Sequence, residues 1–171
     1  KGSPWVYQQS EIPARAHVSD LRNETKIWGF QFDVQDAGTG IWVGGTEHLI
    51  SRYDKASLTP TYTAITREGG DFQDLHLNGN NIYGACHCGD FLYQGSRNKQ
   101  HPVGGSSVVH SVKLVAAFDK DSGKMLPEFS PAIKGDHGFG IWESFVDSKG
   151  TLWVGGDIHR SLGVHGTQDT V

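Results

Sequence analysis

A five-residue motif recurs three times in this sequence, each time directly after a turn. It reads Ile-Trp-Val-Gly-Gly at residues 41–45, Ile-Tyr-Gly-Ala-Cys at residues 82–86 and Leu-Trp-Val-Gly-Gly at residues 152–156. The turns before the copies lie at residues 37–40, 78–81 and 147–150, and each contains glycine. Because tight turns of this composition join antiparallel strands, the motif predicts three hairpins of one kind.

Runs that alternate apolar and polar residues precede the three turns, as expected of strands with one buried face. They span residues 28–34, 72–77 and 141–146, and we expect them to be the innermost strands of their sheets. After the first two copies, residues 49–54 and 114–119 predict third strands, and residues 58–62 and 126–129 predict fourth strands. One repeat is therefore expected to be a four-stranded antiparallel sheet.

The spacing of the copies is that of β-propeller blades. Ile41 and Ile82 are 41 positions apart, within the roughly 40 to 50 residues of a four-stranded blade. Ile82 and Leu152 are 70 positions apart, so the Gly-, Ser-, Asn- and His-rich stretch at about 91–110 predicts an inserted loop. We expect an all-β fold, a β-propeller segment of about two and a half four-stranded antiparallel blades over residues 27–171, after an extended N-terminal segment at residues 1–26.

Composition and charge narrow the possible partners. The 23 glycines suit short strands joined by tight turns. A formal net charge of -4 argues against nucleic acid as the partner, and no apolar run reaches the roughly 18 residues of a membrane span. Since a closed propeller needs at least about four blades, we expect further blades from the same or another chain.

Three longer phrases resemble the delta-60 type of bacterial secreted propeller repeat. They lie at residues 68–73, 115–129 and 150–157, and the resemblance covers most of residues 27–160. It implies a β-propeller in an exported bacterial surface protein or in a phage tail, and hence an extracellular, cell-surface or virion location. The tripeptide at residues 86–88 and the stretch after it depart from the repeat.

The connectivity of a propeller predicts a ligand face. Loops between second and third strands, and loops between blades, emerge on the same side, so one face collects polar residues from all three repeats. Carboxylates and imidazoles hydrogen-bond hydroxyl groups, and nearby aromatic rings offer stacking planes, which suits carbohydrate. The alternative is that these side chains only satisfy local backbone groups. The predicted ligand-binding residues are Thr46, His48, Asp71, His87, Asp136, His137, Asp157, His159 and Arg160.

Cys86 and Cys88 flank His87. On a regular strand both sulfurs point to one side with Cα atoms about 6.5 Å apart, near the upper limit for a disulfide, so bridging requires a bulge. Buried free thiols, a disulfide, and a metal site completed by His101 or His110 are the three alternatives. No cofactor is expected.

Two further patterns resemble functional motifs. Residues 119–123, Asp-Lys-Asp-Ser-Gly, resemble the start of a calcium loop but lack its later glutamate, so they predict a hairpin turn. The tryptophans at positions 28, 42, 142 and 153 fall within the strand repeats, which favours packing between sheets over a sugar platform.

The sequence carries no Gly-x-Ser-x-Gly elbow or comparable frame for a nucleophile. We therefore predict a non-enzymatic extracellular recognition or scaffold module that binds a cell-envelope glycan or protein. The alternative is a propeller-fold glycan hydrolase or lyase, in which carboxylates of Asp71, Asp136 and Asp157 converge for glycoside cleavage.

Overall fold

The structure, a computed structural model, describes residues 31–45, 48–66, 70–89, 91–94, 108–135, 140–161 and 169–170. Over these residues the chain is all-β, with antiparallel sheets and no helix. The predicted N-terminal segment at residues 1–26 lies outside the described residues. So do four of the predicted site residues, Thr46, His101, Asp136 and His137.

Fourteen strands are formed by the described residues. They are β1 (Gln31–Ala37), β2 (Gly40–Gly45), β3 (Leu49–Asp54), β4 (Pro60–Thr66), β5 (Phe72–Asn78), β6 (Asn81–Cys86), β7 (Phe91–Gln94), β8 (Val108–Ser111), β9 (Val115–Asp119), β10 (Ile133–Lys134), β11 (Ile141–Val146), β12 (Leu152–Gly156), β13 (Arg160–Ser161) and β14 (Asp169–Thr170). The first sheet has the order β1-β2-β3-β4-β7-β8, the second β5-β6-β9 and the third β11-β12, and a small sheet has the order β10-β13-β14.

The three predicted hairpins are confirmed, and their registers match. The hairpins β1–β2, β5–β6 and β11–β12 each contain one irregularity near the start of the first strand. It lies between Gln31 and Asp33, between Phe72 and Asp74, and between Ile141 and Glu143. The pairs Asp36 with Ile41, Leu77 with Ile82, and Val146 with Leu152 are equivalent. Every paired strand residue of one hairpin therefore has a counterpart in the other two, and the turn of the third hairpin is one residue longer.

Glycine sets the turns of these hairpins. Gly38, Gly79 and Gly150 have φ angles of 81°, 58° and 82°. This left-handed conformation brings a Cβ atom close to the backbone, a clash that glycine avoids.

The predicted third strands are confirmed as β3 and β9, which pair with β2 and β6. The predicted fourth strand of the first sheet is β4. The fourth strand expected at residues 126–129 is wrong: Phe118 and Met125 form an isolated bridge, and residues 127–128 form a turn. Pro127 has no backbone N–H with which to continue a ladder.

The stretch predicted as an inserted loop contains a hairpin at its two described ends. Strand β7 pairs with β4, with Ile65 opposite Tyr93, and β8 pairs with β7. Between the second and third strands of the second sheet, the chain thus crosses to the first sheet and returns. The crossing covers the edge of β4, which would otherwise present unpaired backbone groups.

One hydrogen bond is repeated between successive sheets. The carboxylate of Asp33 in β1 accepts the backbone N–H of Leu75 in β5 at 2.7 Å. The carboxylate of Asp74 in β5 accepts the backbone N–H of Ser144 in β11 at 2.7 Å, and also the Ser144 hydroxyl. Because Asp33 and Asp74 are equivalent, as are Leu75 and Ser144, the first strands lie side by side in chain order. Burial raises the pKa of Asp33, against the lowering effect of the Leu75 N–H.

Aromatic side chains form the core between the first and second sheets. The ring of Phe118 lies 5.5 Å from that of Trp42 and 6.4 Å from that of Phe72, between ring centroids. Trp42 is completely buried, and its indole N–H donates to the backbone carbonyl of Lys120 at 3.0 Å. A second cluster, which includes Ala85 and Ile141, fills the space between the second and third sheets.

The calcium-like segment is a turn, as predicted. One carboxylate oxygen of Asp119 accepts the backbone N–H and the hydroxyl of Ser122, both at 2.7 Å. Asp54 and Ser57 make the same two bonds at the equivalent turn of the first sheet. These bonds, above all that from the Ser122 hydroxyl, hold the pKa of Asp119 below its usual value.

Among the described residues, no helix has the length and apolarity that crossing a membrane requires.

Candidate functional site

The described residues of the predicted ligand face lie where strands of the hairpin repeat begin or end. His48 precedes β3, Asp71 precedes β5, His87 follows β6 and Asp157 follows β12. The backbone N–H of His48 donates to the Asp71 carboxylate at 3.3 Å, and that of His87 donates to the Asp71 carbonyl at 3.1 Å. Asp71 therefore joins the loops of the first and second sheets.

The third sheet meets these loops at Gly140, the residue before β11. The backbone N–H of Asp157 donates to the carbonyl of Gly140 at 2.8 Å. A Cβ atom on Gly140 would lie 2.8 Å from the Cα of His87, closer than real contacts allow. The structure thus brings His48, Asp71, His87 and Asp157 together, and we call these four residues with Trp142 the loop face.

His159 and Arg160 are held by the small sheet. The backbone N–H of His159 donates to the Lys134 carbonyl at 2.8 Å, and Arg160 pairs with Lys134. Because β10 and β13 set their positions, we do not include these two residues in the loop face.

Trp142 is a member of the loop face that the sequence did not reveal. Its ring lies edge-to-face against that of His87, with 4.3 Å between the centroids, and the residue is 52% exposed. The prediction of packing between sheets is confirmed for Trp42 and wrong for Trp142, which is exposed beside His87. Trp153 is also exposed in the described part of the chain, and Trp28 lies outside the described residues. Trp142 sits at the irregularity between Ile141 and Glu143, and so escapes the alternation on which the prediction depended.

Cys86 and Cys88 form a disulfide, and both are completely buried. Strand β6 ends at Cys86, so the chain bends there and brings the two Cα atoms to 5.2 Å, within the range for bridging. Two backbone hydrogen bonds with Leu114 hold the bend. The N–H of Cys86 donates to the Leu114 carbonyl, and the N–H of Leu114 donates to the Cys88 carbonyl. The backbone on either side of His87 is therefore fixed.

Of the three alternatives for the two cysteines, the structure shows the disulfide, in which neither sulfur is a thiolate that could bind a metal. His110 lies in β8 opposite Leu92, and His101 lies outside the described residues. In the described ranges no three His, Cys, Asp or Glu side chains are grouped so that they could hold a metal ion.

The imidazole of His87 is in a partly buried setting. Burial lowers its pKa from the usual 6.5, and the nearby Asp71 carboxylate raises it by a smaller amount. The neutral form is therefore favoured near pH 7, in which one ring nitrogen donates and the other accepts a hydrogen bond.

We expect acidification to weaken the fold through His87. Since its folded pKa lies below the unfolded value of 6.5, the stabilising contribution is complete above pH 6.5 and is lost as the pH falls through the folded pKa. Urea denaturation at about pH 7.5 and about pH 5 should show a smaller fall in unfolding free energy for His87→Gln than for the unchanged chain. Equal falls in the unfolding free energy of the variant and the unchanged chain would show that His87 is not buried as described.

Comparisons of the chain with protein-family models, with curated proteins and with solved structures find no match. The resemblance to the delta-60 repeat therefore stays a prediction from the sequence.

Proposed function

We propose that the chain is a segment of a β-propeller. In that architecture successive four-stranded sheets pack face to face around an axis, with their first strands nearest to it. Three observations support this: the equivalent registers of the hairpins, the neighbouring first strands β1, β5 and β11, and the hydrogen bond repeated from Asp33 to Leu75 and from Asp74 to Ser144.

On this scaffold we infer a non-enzymatic recognition module, on a bacterial surface or in a phage tail, whose loop face binds a cell-envelope glycan. The observation that carries this is the half-exposed Trp142 beside His87, with Asp71 and Asp157 at the same end of the sheets. An indole face packs against the C–H face of a sugar ring, and carboxylates accept its hydroxyl protons.

A glycan suits this face better than a protein does. The loop face combines one aromatic residue with imidazole and carboxylate groups, whereas protein interfaces usually bury a larger apolar centre. The Cys86–Cys88 disulfide also supports a location outside the cytosol, because disulfides persist in oxidising compartments.

The experiment is a binding titration of the full 171-residue chain against soluble oligosaccharides prepared from bacterial cell-wall, capsular and lipopolysaccharide glycans. Removal of the indole in Trp142→Ala should weaken binding at least tenfold, roughly what an interfacial tryptophan contributes. Trp153→Ala, at an equally exposed tryptophan on another side of the third sheet, should leave the affinity unchanged. Equal losses in the two variants, or no loss in either, would contradict the assignment.

Two further measurements test the alternatives of a protein partner and of an enzyme. Binding to bacterial envelope fractions should survive protease and be lost after periodate, which cleaves the vicinal diols of sugars. The reverse result would indicate a protein partner. Release of new reducing or unsaturated ends from the oligosaccharides, abolished by Asp157→Asn, would establish the hydrolase or lyase instead.

A further inference from the structure

One side of the third sheet repeats positions that, in the first two sheets, contact the next sheet along the chain. At these positions, Asp33 and Asp74 accept backbone N–H groups from the following sheet. Trp42 donates its indole N–H to the backbone carbonyl of Lys120 in the same direction. The counterparts in the third sheet are Glu143, Phe145, Trp153 and Gly155, and we call them the open face.

Exposure shows that this side is uncovered in the described part of the chain. Trp42 is 0% exposed, whereas its counterpart Trp153 is 58% exposed. A Cβ atom on Gly44 would lie 3.0 Å from the Cβ of Phe72 in the second sheet, but a Cβ atom on its counterpart Gly155 would meet nothing within 4 Å. Within the described residues, the third sheet thus has the contact surface of the other two without a sheet against it.

In the described residues, the first sheet is uncovered on its opposite side, the side that faces the preceding sheet in the second and third sheets. Leu75 and Ser144 face the preceding sheet and are 3% and 7% exposed. Their counterpart in β1, Val34, is 36% exposed. We call the side of β1 that carries Val34 the front face. The chain therefore carries both halves of a sheet-to-sheet contact that it already makes twice internally.

We propose that the open face binds the front face of a second copy of this chain, with Glu143 at the position from which Asp33 and Asp74 contact the following sheet. This contact between two copies rests on the proposed β-propeller. Two copies of three hairpins give six, within the four to eight blades of closed propellers. The contact is head-to-tail, so two copies joined by two such contacts form a closed ring.

The test is the oligomeric state of the 171-residue chain, followed by analytical ultracentrifugation over a range of concentrations. We expect a dimer of twice the 18.7 kDa of one chain. Trp153→Ala should raise its dissociation constant at least about 30-fold, as truncation of a central interface tryptophan does. Trp142→Ala, at a similarly exposed tryptophan of the loop face, should leave the dimer intact. A monomer at all concentrations, or a dimer insensitive to Trp153→Ala, would overturn the proposal.

A mixing experiment separates head-to-tail contact from other dimers. Val34→Asp alters only the front face, and Trp153→Asp alters only the open face, so each variant alone should be monomeric. Their mixture retains one intact contact and should form a mixed dimer, whereas no recovery would contradict the proposed pairing. Circular dichroism of each variant checks that it is folded. The outcome is independent of the glycan titration, since Trp142→Ala affects binding only and Trp153→Ala affects assembly only.

Discussion

Replacing Trp42 with alanine should lower the free energy of unfolding by about 3–5 kcal/mol, the range for large aromatic side chains removed from a core. Trp42 packs against Phe118 and Tyr62, and its indole N–H donates to the Lys120 carbonyl, so the substitution leaves a cavity and removes one of the two hydrogen bonds that this carbonyl accepts, the other coming from Arg52. The loss falls at the junction of the first and second sheets.

The matched control is Trp153→Ala, because Trp153 occupies the equivalent position of the third sheet and is exposed. In protein dilute enough to be monomeric, this change should cost less than about 1 kcal/mol. Urea denaturation monitored by circular dichroism measures both values. Similar losses at the two positions would mean that the sheets do not pack in the described order.

Removing the Asp74 carboxylate should be the second largest effect. In Asp74→Ala, the buried N–H and hydroxyl of Ser144 lose their shared acceptor, which costs about 1–3 kcal/mol. Asp74→Asn should cost less, since the amide oxygen still accepts one hydrogen bond. Urea denaturation again provides the measurement.

Glu143→Ala is the internal control for that result. Glu143 is the exposed counterpart of Asp74 in the third sheet, so in monomeric protein its truncation should leave stability within about 0.5 kcal/mol. A loss as large as that of Asp74→Ala would show that the third sheet is covered. No loss in Asp74→Ala would show that the repeated hydrogen bond does not join the sheets.

Local patterns predicted the hairpins well because their determinants lie close together in sequence. The turn glycines and the alternation of residues 141–146 specify where β11 and β12 begin, end and pair. Strand β3 continues the antiparallel meander directly from the hairpin before it. Strand β9 was predictable from the likeness of residues 114–119 to residues 49–54, although β7 and β8 lie between it and its partner β6.

Features that depend on distant partners were not predictable in this way. Strand β7 pairs with β4, more than 25 residues earlier, and nothing local distinguishes that pairing from a loop. The disulfide depended on where β6 ends, since one further extended residue would separate Cys86 from Cys88. Trp142 was misassigned because a single extra residue in β11 reverses which side a side chain faces.

Part of the candidate site could be predicted from the order of the strands alone. Placing loops of successive sheets on one side requires only the order of strands, and the structure does bring His48, Asp71, His87 and Asp157 together. The role of Gly140 as the link between His87 and Asp157 depends on close backbone packing, which residue types alone do not specify.

The central claim is that three successive hairpins stand side by side in chain order. It is tested most directly by nuclear Overhauser spectroscopy of isotope-labelled protein. Cross-peaks should join the Leu75 amide proton to the Asp33 β-protons, and the Ser144 amide proton to those of Asp74. Intact signals within each hairpin, together with cross-peaks that place β5 against elements other than β1 and β11, would contradict the account.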